Sequence, residues 1–204
     1  MLSMDTIGNA EILLGLVSEQ GLLRTRDLAE HRIPRATLSR LVANGRLVQV
    51  SRGLYALPSH SRSEKHQLAE IAARSPKGVF CLLTALRFHE LTTQSPHEIW
   101  IAFPNKSHQP KSAYPPLRIV RFSGAALTEG VESRMVDGIS VRVYSIPKTV
   151  ADCFKYRNKI GLEVAIEALR EARREKRATN DELWRFAKIC RVSNVMRPYM
   201  ESIE

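Results

Sequence analysis

The stretch RIPRATLSRLVANGRLVQVSRGLYALP, residues 32 to 58, changes its hydrophobic period partway along, and that change constrains the fold more than any other feature of the chain. Up to Ala43, the apolar residues Leu38, Leu41 and Val42 follow the i, i+3, i+4 spacing of a helix with one buried stripe. Pro34 suits the first position of that helix, and Asn44-Gly45 closes it. Beyond Gly45, RLVQVS and GLYALP alternate or run apolar, as strands do, around a tight turn at Ser51-Arg52-Gly53. A short helix feeding directly into a hairpin belongs to few architectures.

The residues upstream narrow the choice. Ile7, Ala10, Leu13, Leu14 and Val17 predict a helix over residues 7 to 18, with Gly21 as its C-terminal cap. LLRT is short enough for a brief strand, and Thr25 is the expected N-cap of a helix in RDLAEH. Helix, strand, helix, turn, helix, hairpin is the element order of a winged helix-turn-helix, assigned here to residues 1–58. The Pro/Ser-rich PSHSRS, residues 58 to 63, reads as the boundary to a second domain at 59–204.

That second part is mixed. EKHQLAEIAARS is helical, and GVFCLLTALRFHEL starts as a strand and continues as a buried helix. HEIWIAF and LRIVRF read as strands, and RMVDGISVRVYS as a hairpin turning at Asp137-Gly138. Pro147 opens another helix, GLEVAIEALREARREK carries an apolar stripe, and two short helices end the chain. The fold class expected is α+β: an N-terminal winged helix-turn-helix, then a mixed α/β C-terminal domain with terminal helices.

Charge is distributed unevenly over this plan. The chain has 31 Lys and Arg against 21 Asp and Glu, a net charge of +10, which favours a polyanionic partner through counterion release. Every base in positions 1 to 58 is an arginine: Arg24, Arg26, Arg32, Arg35, Arg40, Arg46 and Arg52. All lie between residues 24 and 52, where Asp27 and Glu30 are the acids; the 23 residues before them hold three acids and no base. Within the third helix, Arg35, Ala36, Thr37, Ser39 and Arg40 are expected to face away from the Leu38 stripe. Arg35 on the first turn is placed to meet base edges, and small Ala36 permits close approach to a major groove. Arg52 at the hairpin tip is placed for a phosphate or the minor groove. Arg26 and Ser51 complete the expected DNA-binding set. The plainer alternative is a solvated polar face on a small helical domain.

Three segments taken together, LAEHRIPRATLSRLVANGRLVQVSRGLYALP, FCLLTALRFHELTTQSPHEIWIAFP and GISVRVYSIPKTVADCFKYRNKIGLEVAIEAL, resemble the AbiEi family of antitoxins and transcriptional regulators. The resemblance spans roughly residues 8 to 175, and IPKTVADCFKYRNKIG is its most distinctive part. It implies a winged helix that binds inverted repeats in double-stranded operator DNA and represses its own operon, with self-association on that DNA. It implies a C-terminal antitoxin region, and a nucleotidyltransferase-like toxin countered without a stable complex. The chain ends soon after EALREARREK, so activities that need a longer C-terminal extension fall outside the resemblance.

Catalytic signatures are sparse. GxxxxGK[ST], GxGxxG after a strand, GxSxG and His-Glu-x-x-His are all missing, and so is the paired-aspartate pattern of the toxin itself. Asp152 in VADCF, near Lys148, Lys155, Tyr156 and Arg157, is the leading acid for a magnesium-dependent nucleic-acid-processing enzyme, the alternative reading. Its plainer role is a structural hub that accepts hydrogen bonds from the backbone or an arginine. Likewise REARREKR (170–177) and KYRNK (155–159) are either solvated helix faces or a second positive surface for flanking DNA or RNA. Cys81, Cys153 and Cys190 lack metal-ligand spacing and read as buried thiols of a cytoplasmic protein. No metal or other cofactor is expected. The start MLSMDTIGNAEILLGLV has no basic segment of the signal-peptide kind, and no apolar run nears the roughly 20 residues of a membrane span. A stand-alone transcription regulator without a toxin is the third possibility.

Overall fold

The computed structural model describes residues 5–58, 64–94, 96–105, 107 and 116–202. Two compact units divide the chain: residues 1–74 with 135–140, and residues 75–134 with 141–204. The Pro/Ser-rich segment 58–63, expected as a domain boundary, lies at 59–63 outside the described residues.

The first unit comprises α1 (Asp5–Gln20), β1 (Leu22–Arg24), α2 (Asp27–Glu30), α3 (Arg35–Ala43), β2 (Val48–Ser51), β3 (Leu54–Ala56) and α4 (Glu64–Arg74). β1 and β2 both pair antiparallel with β3, in the order β1-β3-β2, with a register shift between Gln49 and Ser51. Gly21 ends α1 as the sequence predicts: its φ of +79° suits glycine, and its N–H bonds the Val17 carbonyl at 2.8 Å. Leu13, Val17, Leu23, Leu28, Ile33, Leu38, Leu41 and Leu47 form one buried cluster. Three apolar helices and a sheet edge thus bury a common face, which no one of them covers alone.

Two expectations are corrected here. Thr25 does not cap α2; Arg26 occupies the cap position without a side-chain bond. The Thr25 N–H and Oγ1 instead donate to the Gly53 carbonyl, at 2.9 and 3.3 Å, and fasten the β2–β3 turn to the end of β1. Thr37 does not face outward. It is 3% exposed. One turn before Leu41 and one residue before Leu38, it lies on the stripe that α3 presses into the core.

The second hairpin contributes to this unit as well. Asp137, in the turn between β7 (Val131–Val136) and β8 (Ile139–Tyr144), accepts from His66 Nδ1 at 2.9 Å, while His66 Nε2 lies 3.1 Å from Glu70. His66 is 2% exposed, so α4 holds the hairpin tip through a buried imidazole between two carboxylates.

The second unit is built on a five-stranded sheet of order β6-β5-β4-β8-β7, with β4 (Val79–Phe80), β5 (Ile99–Pro104) and β6 (Leu117–Phe122). β4 runs antiparallel to β5 and parallel to β8, and β5 and β6 are parallel. Its helices are α5 (Leu82–Phe88), the short α6 (Ala125–Thr128) and α8 (Arg157–Ile160), then α7 (Ile146–Lys155), α9 (Leu162–Arg174), α10 (Asn180–Ile189) and α11 (Ser193–Ser202). Mixed α+β architecture is what the sequence predicts. Thr179 and Glu182 begin α10 with a reciprocal capping box, the Glu182 amide donating to Thr179 Oγ1 at 3.3 Å.

α7 is the centre of this unit. It packs against α5, α9, α10 and α11, and its residues from Ile146 to Phe154 are all buried. One turn apart on it, Lys148 Nζ donates to Asp152 Oδ2 at 2.5 Å, with Lys148 at 0% and Asp152 at 1% exposure. The ammonium also lies 4.2 Å from the Tyr144 ring centroid and 4.7 Å from that of Phe122. Cys190 Sγ donates to Asp152 Oδ1 at 3.3 Å. Gly130 lets the Lys148 stem pass: a Cβ there, at φ +73°, would stand 2.7 Å from Lys148 Cβ and 2.9 Å from Phe186 Cζ.

Lys148→Met is expected to destabilise the protein by roughly 3–5 kcal/mol in denaturant unfolding, because Asp152 is left buried and unpaired; Lys148→Met with Asp152→Leu should regain most of that loss. Thr37→Lys should lower the melting temperature sharply by burying an unpaired charge, whereas Ser39→Lys, two residues on but exposed, should leave it within a few degrees.

Candidate nucleic-acid interface

The sequence-predicted binding residues divide by burial. On α3, Arg35, Ala36, Ser39 and Arg40 are exposed and Thr37 is withdrawn. The split follows from the helix repeat of about 100° per residue, which sends 37, 38 and 41 inward and 35, 36, 39 and 40 outward. Ser39 Oγ donates back to the Arg35 carbonyl at 3.3 Å, one turn earlier. Two guanidinium groups and two small side chains therefore make up one open helix face.

Around the β2–β3 turn, Arg52 is exposed and Ser51 is half-buried as the last residue of β2. Gly53 turns the chain at φ +75°, a conformation that costs glycine little. Arg26 is 73% exposed, with Nε 3.7 Å from Asp27 Oδ1. Asp27 Oδ2 accepts the Arg24 N–H at 2.9 Å. Burial raises the Asp27 carboxyl above its ordinary range, and the opposing pull of Arg26 and His31 is the smaller effect.

Two further arginines join the same region. Arg24, Arg26, Arg52 and Arg74 line one cleft of about 220 Å³, with Ser51 and Thr25 in its wall. Arg24 is concealed in the sequence because it follows Leu22 and Leu23 in a strand that reads as core. Arg74 is remote from the others in sequence and reaches them because α4 belongs to this unit.

In the second unit, Asp152 has its carboxylate oxygens committed to Lys148 and Cys190, so the hub reading gains partners other than the backbone or arginine groups foreseen. Burial lifts the Asp152 carboxyl above its usual range and outweighs the lysine beside it. Burial likewise pushes the Cys190 thiol up to about 12, with the Asp152 charge adding to the effect, so it stays a protonated donor at neutral pH. Arg157 donates to the Phe154 carbonyl at 3.0 Å. In REARREKR, Arg174 pairs with Glu171, and Arg177 bonds the His89 carbonyl at 2.7 Å and Glu175 at 3.1 Å. Part of that charge is therefore spent on internal bonds. Among the described residues there is no group of three or more side chains suited to a metal, and no helix is long and apolar enough to cross a membrane.

The fold is similar to that in the crystal structure of the RV2827C protein from Mycobacterium tuberculosis, with a TM-score of 0.57 and 17% identity over 89% of this chain and 71% of that one. No curated protein matches the chain. Residues 11–58, which carry α3, the β2–β3 turn and their exposed arginines, match the model of the family described as transcriptional regulator, AbiEi antitoxin, the family that the sequence itself resembles.

Proposed function

We propose that this chain is a sequence-specific DNA-binding repressor that controls its own operon and acts as the antitoxin to a nucleotidyltransferase-like toxin. In this reading residues 1–58 are a winged helix-turn-helix, with α3 as recognition helix and the β2–β3 turn as wing. The single observation that carries it is the exposed face of α3, where Arg35 and Arg40 flank Ala36 and Ser39 on a segment matched by a regulator family. Arginine forks read guanine edges in pairs of hydrogen bonds, and Ala36 leaves the helix room to enter the major groove. Arg26, Ser51 and Arg52 would hold the duplex by its backbone and supply no base information.

Residues 59–204 would supply the antitoxin activity, neutralising a toxin in the cytoplasm without forming a stable complex. Two copies side by side on inverted repeats would match the symmetry of such an operator. The competing reading, a magnesium-dependent nuclease built on Asp152, draws less support. A carboxylate held by Lys148 and Cys190 in the core is committed to structure before any metal arrives.

The reading is tested by fluorescence anisotropy on duplexes selected from a random pool by the wild-type protein. Arg35→Ala and Arg40→Ala should each weaken binding by about 1–3 kcal/mol and relax the base preference at the contacted position. Arg52→Ala should weaken binding across all sequences alike. Wild-type affinity and preference in both α3 variants would overturn the assignment of α3.

A further inference from the structure

We infer that the cleft bounded by Arg24, Arg26, Arg52 and Arg74 is a built phosphate seat, filled in the proposed DNA complex by one backbone phosphate beside the β2–β3 turn. The inference rests on the DNA-binding reading for the source of that phosphate. The site itself rests on what surrounds the cleft.

Charge comes first. Four arginines line a cleft of about 220 Å³. The carboxylate beside them, Asp27, already accepts the Arg24 backbone N–H at 2.9 Å and lies 3.7 Å from Arg26 Nε. The cleft's described lining holds four arginines and no acid, and like charges gathered around one cleft favour an anion between them.

Unused hydrogen-bonding groups come second. Arg24 Nε and Ser51 Oγ are both buried and have no hydrogen-bond partner among the described residues. Buried polar atoms nearly always have one, so two unpartnered groups in the wall of one cationic cleft mark a missing acceptor. A phosphate offers several oxygens, each able to accept from a guanidinium fork and a hydroxyl together.

Rigidity comes third. The Thr25 N–H and Oγ1 both bond the Gly53 carbonyl, so β1 and the turn bearing Arg52 keep a fixed separation. Arg74 Nε donates at 3.4 Å to the Glu70 carbonyl one turn earlier in α4, which leaves its two terminal amino groups for a ligand. A preformed seat loses little on binding, and its contacts position the duplex without reading its sequence. Arg24 and Arg74 are thereby added to the DNA-contacting set as phosphate ligands.

The test uses the full chain and two duplexes, one selected from a random pool and one of scrambled sequence, over a potassium chloride series. Arg24→Gln and Arg74→Gln should each reduce the slope of log affinity against log salt by about one, equally on both duplexes. The ratio of the two affinities should not change. Arg24→Lys, which keeps charge and stem, should retain most of the slope and separates lost charge from lost fold. A wild-type slope in both glutamine variants, or an effect confined to the selected duplex, overturns the inference while leaving the α3 assignment intact.

A second arm needs no DNA. In the free protein, the Arg24 Nε–H resonance should shift with inorganic phosphate and stay still with chloride at matched ionic strength. If the wild-type protein binds neither duplex, the DNA reading fails, and the seat is judged by this arm alone. A moving resonance supports a site for free phosphate, and an unmoved one overturns the site itself.

Discussion

Asp152 is a carboxylate that folding takes out of water, and the second unit is arranged around that fact. Burying an isolated charge is prohibitive, so the structure supplies Lys148 one helical turn away and the Cys190 thiol from beyond α10. The lysine needs surroundings in its turn: the faces of Tyr144 and Phe122 receive its ammonium, and Gly130 leaves space for its stem. These partners come from β6, the loop before β7, β8, α7 and the end of α10. One ion pair therefore fixes the mutual arrangement of segments that share no local sequence. Removing either partner leaves the other buried without its counter-charge, which is where the cost of such a mutation arises.

The first unit keeps more of its charge outside. The arginines of α3 and of the β2–β3 turn are exposed, and the core is leucine, isoleucine and valine. Helix α3 has no acid of its own. Arg35 and Arg40 consequently have no ion-pair partner within the helix that carries them. The cleft beside the β2–β3 turn extends the same logic from a helix face to a concave site.

Legibility in the sequence followed the range of the interactions involved. Nearly every element was readable, because the periods of 3.6 and 2, the caps at Gly21 and Gly45 and the turn at Asp137-Gly138 are local signals. Helix phase alone predicts that Arg35, Ala36, Ser39 and Arg40 are exposed, and they are. Thr37 stands one turn before Leu41, so helix phase puts it on the buried stripe, and only its polar hydroxyl makes it read as an outward residue. The local context of Thr25 predicts a cap, but its hydroxyl goes to Gly53, 28 residues away.

The sequence by itself determined the alternation of helices and strands, the all-arginine basicity of the first 58 residues and the resemblance to a regulator family. Hydrophobic period, turn chemistry and net charge are properties of neighbouring residues, so they survive without coordinates. Only the tertiary structure decided that Arg24 and Arg74 face one cleft, that His66 holds the Asp137 turn, and that Lys148 is the buried partner of Asp152. Those outcomes depend on which surfaces are removed from water together. That is settled when distant segments pack, and no window of the sequence contains it.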